Sequence, residues 1–330
     1  MITVVVVTFN SERYIADCLD GLLATAGDRS DVTMVVVDNA SRDGTVEIVR
    51  RYPAFELVVS PTNAGYSSGI AAGYDHRPAD ILVVLNPDLR VSEGWLEEFV
   101  GPLADPSVGA TTGRLLLASD PSLINALGQD IHWSGLGFNR RMWKPAAEQP
   151  SENHEVDGVH GAAFAVRGSL WEKAEPVLRP SFLYHEDVEL SWLVRLAGYR
   201  IVCTPAATLV HDYVLDMTPR KFREIETNRV RFMLTVLRPW TLLALLPVLL
   251  AVEGLMLLYG LVKGPSYLVG KVGSLASILT RPGRIMAARR DAEGLRAVGD
   301  WQVLRRLTPL LALDQLLKVS RPTRREGGFS

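Results

Sequence analysis

The chain has 330 residues, of which 48% are hydrophobic and 22% charged, and its net charge is −2. These proportions exclude a disordered chain and allow one sizeable core with a second module. The two cysteines, Cys18 and Cys203, exclude a disulfide framework and predict a reduced, cytoplasmic environment.

The small net charge conceals two parts of opposite sign. Residues 216–330 carry 19 Lys+Arg and 9 Asp+Glu, a net of +10, whereas residues 1–215 carry 16 and 28, a net of −12. The bases of the second part flank long apolar runs and are not interleaved with aromatic side chains. This pattern favours an anionic membrane surface as partner over nucleic acid.

Strands and helices alternate in the first hundred residues. Residues 4–7 are a β-branched run typical of a buried strand, and without a basic segment before it we expect no signal peptide. Further strands are predicted at residues 34–37, 57–59 and 81–85, with helices from Ser11, over residues 45–52 and after Gly65. This order predicts a Rossmann-like α/β fold with a mainly parallel sheet and flanking helices.

The second half changes character twice. Residues 108–165 resemble a mixed β region, an acidic cluster at residues 184–189 begins a helix, and a short strand is predicted at residues 201–203. Residues 240–262 and 267–279 are apolar helices, the first of which contains Glu253. They predict either one membrane span or an interfacial helix pair, with buried helices of a soluble domain as the alternative.

We therefore expect three regions. Residues 1–215 form a catalytic domain, residues 216–239 a basic helical connector, and residues 240–330 a membrane-associated helical region with a disordered tail at residues 321–330.

Polar residues follow the predicted strands where ligands of such sheets bind. Asp38 can accept a hydrogen bond from a nucleotide base, and Asp88 can bind a divalent metal that neutralises a diphosphate. Glu186 and Asp187 begin a helix, whose dipole favours the ionised carboxylate that a general base requires.

The ordered motifs resemble those of GT-A fold family-2 glycosyltransferases, and within them the rhamnosyltransferase-like branch. The matching segments are VTFN at 7–10, VVDNASRDGT at 36–45, NAG at 63–65, NPD at 86–88, GAA at 161–163, EDVELSW at 186–192, AGY at 197–199 and VH at 210–211.

The resemblance implies a role for each motif. Asp38 binds the donor base, Asp88 is the main metal ligand with His211 as a further one, and Asp187 is the catalytic base beside Glu186. The remaining donor-binding residues are Thr8, Phe9, Asn10, Asn39, Asn63, Gly65 and Asn86, and Trp192 is expected to contact the acceptor.

The resemblance also implies inversion by single displacement with Mg²⁺ or Mn²⁺. The expected donor is dTDP-rhamnose, with a UDP-sugar as the alternative. Together with the apolar second part, it implies a polyprenyl-linked glycan or glycolipid acceptor at the cytoplasmic face of the membrane. A homo-oligomer is left open.

Four positions depart from the family pattern. Asn86 replaces the first Asp of an Asp-x-Asp motif, and Ile70, Ala71 and Leu193 stand where polar or basic residues are frequent. Diphosphate contacts must then come from elsewhere, for which Arg195 is a candidate.

Other readings remain open at this point. A nucleotidyltransferase would need a Gly-rich phosphate loop after the first strand, and an oxidoreductase a Gly-x-Gly-x-x-Gly motif, which the sequence lacks. A membrane scaffold with a degenerate transferase domain is the non-enzymatic alternative. Taken singly, Asp38 reads as a turn residue, Asp88 as a helix cap, and His211 and His160 as structural histidines.

Overall fold

The computed structural model describes residues 1–27, 29–213 and 216–319. Its strands are β1 Ile2–Thr8, β2 Val32–Asp38, β3 Phe55–Val59, β4 Ile81–Leu85, β5 Leu89–Val91, β6 Val108–Leu117, β7 Asp120–Leu127, β8 Gln129–Ile131, β9 Gly137–Asn139, β10 His154–Glu155, β11 Ala163–Arg167 and β12 Arg200–His211.

The α-helices connect these strands and then follow them. They are α1 Ile15–Ala26, α2 Thr45–Val49, α3 Tyr66–His76, α4 Trp95–Val100, α5 Gly168–Leu178, α6 Glu186–Leu196, α7 Pro219–Val236, α8 Pro239–Lys263, α9 Pro265–Leu279, α10 Pro282–Leu295, α11 Asp300–Leu304 and α12 Leu313–Val319.

One large sheet organises the first part of the chain. Its strand order is β10-β12-β6-β11-β4-β1-β2-β3, with β5 paired to β12 and β7 paired to β6. Strands β3, β2, β1 and β4 are mutually parallel, as the strand–helix alternation predicts. Strand β11 then pairs antiparallel with both β4 and β6, which gives the mixed region expected after residue 108.

Both faces of the sheet are covered. Val5 and Val7 of β1 enter one buried cluster, whereas Val4 and Val6 enter the other. Successive side chains of a strand point to opposite faces, so a strand buried on both faces reads as an unbroken apolar run. This explains the Val-rich sequence of β1.

Several predicted boundaries differ from the structure, and two of these differences concern α1 and β12. Helix α1 begins at Ile15 and not at Ser11, whose hydroxyl accepts a hydrogen bond from the Phe9 backbone N–H at 3.3 Å. Strand β12 continues to His211, because its pairing with β6 resumes after an irregularity between Thr204 and Thr208.

Helices α7, α8 and α9 are joined by a buried ionic network. Lys271 of α9 donates to Glu226 of α7 and to Glu253 of α8, and Arg229 of α7 donates to both of these carboxylates. Arg229, Glu226 and Lys271 are at most 1% exposed in their side chains. Glu253 therefore faces neighbouring helices, although it lies within the apolar segment.

The second part of the chain also packs on the catalytic core. Phe232 and Met233 of α7 share a buried cluster with β1 and α6, as do Ala292 and Leu295 of α10. The division at residues 215 and 239 stays a prediction about sequence organisation. The tail predicted at residues 321–330 lies outside the described residues.

Helix α8 is the one helix in the described part of the chain that is long and apolar enough to cross a membrane. Only 22% of its most apolar window is buried within the protein, so it is not an ordinary core helix.

Candidate active site

A cavity of about 670 Å³ opens at the carboxyl ends of β1 and β4. Its lining includes seven residues predicted from the sequence, namely Phe9, Asn10, Asn86, Asp88, Glu186, Asp187 and His211. The topology explains this convergence, because β1 and β4 are neighbours, and β5, which begins directly after Asp88, pairs with the end of β12.

Asp88 and His211 lie side by side in this wall. His211 Nε2 is 3.4 Å from Asp88 Oδ1, and His211 Nδ1 is 2.8 Å from Asn125 Oδ1. An amide oxygen only accepts hydrogen bonds, so Nδ1 carries a proton, and Nε2 is the ring nitrogen that faces Asp88 and is available to a cation. Asp88 Oδ1 is buried and has no hydrogen-bond partner among the described residues.

This pair fits two ligands of a divalent cation. A carboxylate oxygen without a partner and an imidazole lone pair oriented by a second residue are the donors that such an ion binds. Within residues 1–27, 29–213 and 216–319, no group of three or more His, Cys, Asp or Glu side chains is placed to hold a metal. The remaining ligands would therefore come from a bound diphosphate and water.

Glu186 and Asp187 begin α6 after a strained backbone junction. Tyr184 has φ 65° and His185 has φ 78°, and a left-handed conformation costs such residues on the order of 1–3 kcal/mol each. The buried His185 ring holds the junction through its Nε2, 2.7 Å from Gly135 O. The resulting chain path directs both carboxylates into the cavity.

The two carboxylates differ in their hydrogen bonds. Asp187 Oδ2 accepts from Gln129 Nε2 at 2.7 Å and from the Gly161 N–H at 2.9 Å, and Oδ1 accepts from the Val188 N–H at 2.8 Å. Burial raises the pKa of Asp187, and these donors oppose the rise. Burial and the Asp187 charge together raise the pKa of Glu186 to about 8. At neutral pH Glu186 therefore holds a proton, and the hydrogen bonds to Asp187 favour its ionised form.

Asn86 is oriented by Tyr66. The Tyr66 hydroxyl lies 2.8 Å from Asn86 Oδ1 and 3.0 Å from Gly161 O, and it donates to these oxygens. Because its oxygen is engaged, Asn86 offers amide N–H groups to the cavity. Replacement of Asp by Asn thus exchanges a metal ligand for a hydrogen-bond donor.

Thr8, Asp38 and Asn39 build the loops beside the cavity. Thr8 Oγ1 donates to Asp38 Oδ1 at 3.1 Å, and the Ser41 N–H donates to Asp38 Oδ2 at 2.9 Å. Asn39 Nδ2 donates to Gly65 O at 3.0 Å. Thr8 and Asp38 have no exposed surface, so base binding by Asp38 requires the loop after β2 to open and stays a prediction.

Asn63 and Gly65 shape the start of α3. Asn63 Oδ1 accepts from the Gly65 N–H at 3.0 Å. Gly65 has φ 96°, and a Cβ there would lie 2.1 Å from Phe182 O, so the position requires glycine. The close packing of Gly65 against Phe182 positions the start of α3 beside the segment before α6. The predicted contact of Asn63 and Gly65 with a nucleotide stays a prediction.

The structure corrects the acceptor role predicted for Trp192. Its side chain has no exposed surface, and its ring packs edge-on against Phe232 with 6.4 Å between centroids. An acceptor cannot reach it, because the α6 face that carries Trp192 is turned into the core.

The candidate diphosphate contact at Arg195 is also wrong. Arg195 is 5% exposed and donates to Glu155 Oε1 and to Val156 O. Three of the four positions that depart from the family pattern are buried core residues, namely Ile70, Ala71 and Leu193.

Several residues in or next to the cavity were not predicted from the sequence as site residues. Gln129 and Asn125 orient Asp187 and His211 but are distant from them in sequence, so no local motif identifies them. His160 lines the cavity with its ring 5.8 Å from that of His211, and burial lowers its pKa to about 3. It is therefore a neutral neighbour of Asp88 and His211.

Comparison with known proteins agrees with this geometry. Residues 3–173, more than half of the chain, match the family described as Glycosyl transferase family 2. The chain belongs to this family, and it is a glycosyltransferase that uses nucleotide-sugar donors.

Two relatives show the range of the family. The N-acetylglucosaminyl-diphospho-decaprenol L-rhamnosyltransferase of Mycobacterium tuberculosis is 28% identical over 242 residues, which cover 64% of this chain and 76% of that protein. The low-salt glycan biosynthesis hexosyltransferase Agl10 of Haloferax volcanii is 23% identical over 228 residues, which cover 66% of this chain and 69% of that protein.

Solved structures confirm the predicted GT-A fold. TarS residues 1–349 of S. aureus, in complex with UDP-GlcNAc, aligns with a TM-score of 0.54 at 16% identity over 92% of this chain and 89% of that one. GalNAc-T7 with UDP, GalNAc and Mn²⁺ aligns with a TM-score of 0.58 at 13% identity over 73% of this chain. The alignment spans 49% of the GalNAc-T7 chain.

Proposed function

We propose that this enzyme transfers a sugar from a nucleoside-diphosphate donor to a membrane-anchored acceptor, with inversion at the anomeric carbon. One observation carries the proposal: the Asp88–His211 pair and the Glu186–Asp187 pair line the same cavity. The first pair suits a departing diphosphate, and the second suits an attacking hydroxyl.

Asp88 and His211 are the residues that would hold Mg²⁺ or Mn²⁺. A divalent cation supplies neutralisation of diphosphate charge when it is bound there. The amide of Asn86 supplies hydrogen-bond donors in the same cavity. The His160 ring is neutral and therefore adds no positive charge that would repel the cation. The Mn²⁺ complex of GalNAc-T7, which shares the fold, supports a divalent ion.

Asp187 is the proposed general base. The acceptor hydroxyl gives its proton to the Asp187 carboxylate, and its oxygen bonds to the anomeric carbon as the bond from that carbon to the diphosphate oxygen breaks. The nucleophile enters opposite the leaving group, so the configuration inverts. Gln129 and the Gly161 N–H hold the carboxylate in place during this step.

The proposed substrates follow the relatives. The favoured donor is dTDP-rhamnose, with a UDP-sugar as the alternative, and the acceptor is a polyprenyl-linked glycan or glycolipid. The name of the M. tuberculosis relative, which gives L-rhamnose as the sugar and a diphospho-decaprenol as the acceptor lipid, supports this choice.

The outer face of α8 is the proposed membrane contact. It consists of Leu243, Leu246, Leu250, Leu258 and Leu261, which are 43–64% exposed. The opposite face is buried against the protein, and Glu253 is engaged in the ionic network with α7 and α9. A helix attached along its length in this way suits a position in the plane of the interface, at the cytoplasmic face.

The decisive experiment separates donor binding from transfer. With Mn²⁺ present, dTDP-, UDP- and GDP-sugars are screened by thermal stabilisation and then by transfer to membrane lipid extracts. Asp187→Asn should retain donor stabilisation but lose roughly 10²–10⁴-fold in transfer, because only the base is removed. Asp88→Asn should lose the Mn²⁺-dependent part of donor stabilisation.

The matched control is Asp75→Asn, an exposed carboxylate outside the cavity, which should change neither property. Near-normal transfer by Asp187→Asn would rule out the base assignment. An unchanged Mn²⁺ requirement in Asp88→Asn would rule out the metal assignment.

A further inference from the structure

The cavity has two chemically different ends. One end carries the carboxylates and His211, and the other is apolar. The apolar wall consists of Leu136, Phe138, Met217, Phe222, Met256 and Tyr259. These residues pack with one another in a small cluster that is separate from the two main cores. Glycosyl transfer needs no apolar wall of this size, so a second part of a substrate should occupy it.

Helix α8 connects this wall with the exterior. Met256 lies on the inner face of α8 and is 4% exposed, whereas Leu258 lies on the outer face and is 55% exposed. A single helix thus forms both the apolar wall of the cavity and the exposed apolar surface.

A cation stands between the two ends. Lys221, in the first turn of α7, lines the cavity with its ammonium 4.7 Å from the centroid of the Tyr184 ring. No carboxylate among the described residues lies within ion-pair distance of it. Burial lowers the pKa of Lys221, and the charge of Asp216 opposes this effect. A half-buried cation of this kind is suited to an anionic ligand.

The donor does not account for this cation. Its diphosphate is assigned to the end of the cavity with Asp88 and His211, whereas Lys221 adjoins Phe222 of the apolar wall. A ligand that satisfies both Lys221 and the apolar wall must join a phosphate to a hydrocarbon chain.

We propose that Lys221 and the apolar wall form a binding subsite for a prenyl phosphate or diphosphate, the lipid portion of the acceptor. Lys221 binds the phosphate, the apolar wall receives the first isoprene units, and the rest of the chain leaves along α8 into the membrane. The proposal rests on the proposed function, because it identifies where the acceptor of that reaction binds.

Binding of farnesyl diphosphate to the purified full-length protein in detergent tests this subsite, with farnesol and inorganic diphosphate as comparison ligands. Calorimetry should show that farnesyl diphosphate binds at least tenfold more tightly than either one. Lys221→Gln should weaken farnesyl diphosphate about tenfold and leave farnesol unchanged, whereas Lys221→Arg should retain binding. Lys173→Gln, an exposed lysine of α5, is the matched control and should have no effect.

The apolar wall has its own matched pair. Met256→Gln on the inner face of α8 should weaken both farnesyl diphosphate and farnesol several-fold, whereas Leu258→Gln on the outer face should weaken neither. Equal effects of these two variants would show that the ligand merely partitions onto the helix surface. Thermal unfolding of each variant establishes that it is folded.

Binding of dTDP and UDP with Mn²⁺ separates this proposal from the proposed function. If these nucleotides bind but farnesyl diphosphate does not, the subsite is wrong and the transferase proposal stands. If farnesyl diphosphate binds but no nucleotide does, the lipid subsite stands and the transferase proposal is wrong. If Lys221→Gln weakens the nucleotides as strongly as farnesyl diphosphate, Lys221 belongs to the donor site and the subsite is overturned.

Discussion

Two adjacent carboxyl groups, Glu186 and Asp187, are placed in different environments by the start of one helix. Asp187 receives hydrogen bonds from Gln129, Gly161 and Val188, which favour its ionised form. Glu186 Oε2 has no hydrogen-bond partner among the described residues, and it faces the charge of its neighbour. In pairs of this kind one group stays protonated and the other is ionised, because two like charges so close together repel each other. The two groups can then act as acid and as base.

The raised pKa of Glu186 predicts a pH dependence of stability. The folded protein keeps this proton up to a pH of about 8, whereas an unfolded Glu loses it near its ordinary pKa. Between these values the folded state binds more protons, so the free energy of unfolding falls as the pH rises. Glu186→Gln removes this loss and should raise the Tm at pH 9 by several degrees relative to the wild type.

Thermal unfolding at pH 5 and pH 9 measures the effect, with Glu172→Gln in α5 as the control. At pH 5 the wild type and Glu186→Gln should differ little, since both side chains are neutral in the folded protein. The same Tm difference at both pH values would show that Glu186 is not a protonated group of the folded site.

Sequence motifs predicted the central cavity residues well. They did not predict the residues that hold those side chains in position. Asp88, Asp187 and His211 occur in ordered motifs, and all three line one cavity. Gln129 and Asn125 reach their partners only through the packing of β7 and β8 against the helix and strand that carry them. Trp192 lies within a matching motif, but the helical period turns it toward the core.

At the scale of elements, strands with local signals were predicted well. The limits of β4 agree with the predicted residues 81–85, because a short apolar run is bounded there by polar residues. Strand β12 was predicted too short, since Pro205 and the irregular pairing nearby interrupt the strand pattern that resumes before His211. Pairing with β6 and β5 compensates for this weak local signal.

The ionic network predicts that α8 is anchored through Lys271. Lys271→Met leaves Glu226 and Glu253 with only Arg229 between them, and loss of one partner from a buried ionic group costs on the order of 3–5 kcal/mol. Arg238→Gln, which removes an ion pair whose side chains are both more than half exposed, is the control and should destabilise the protein far less. Denaturant unfolding compares them, and equal costs would contradict the anchoring role.

For the whole molecule, the proposed function makes the outer face of α8 the place where the catalytic domain would meet a lipid substrate. Exposed Leu side chains on this face would each gain about 1.5–3 kcal/mol on full burial in lipid. The exposed bases Arg281 and Arg284 begin the next segment after α9, where they can face anionic headgroups. The catalytic cavity and this surface share α8, so attachment places the cavity beside the membrane.

The length of α8 does not decide between a span and an in-plane position, because 25 residues extend about 37 Å, enough to cross a bilayer. The burial of one face supports the proposed in-plane position, since a span would carry the attached α7 and α9 charges into hydrocarbon. Leu246→Gln with Leu250→Gln should therefore lower co-sedimentation with phosphatidylglycerol vesicles at least tenfold, while the exposed Val59→Gln on β3 leaves it unchanged. Cysteines placed at Trp240 and Val262, the two ends of α8, should both be labelled from the outer side of sealed vesicles. Labelling of only one end would show that α8 spans the membrane.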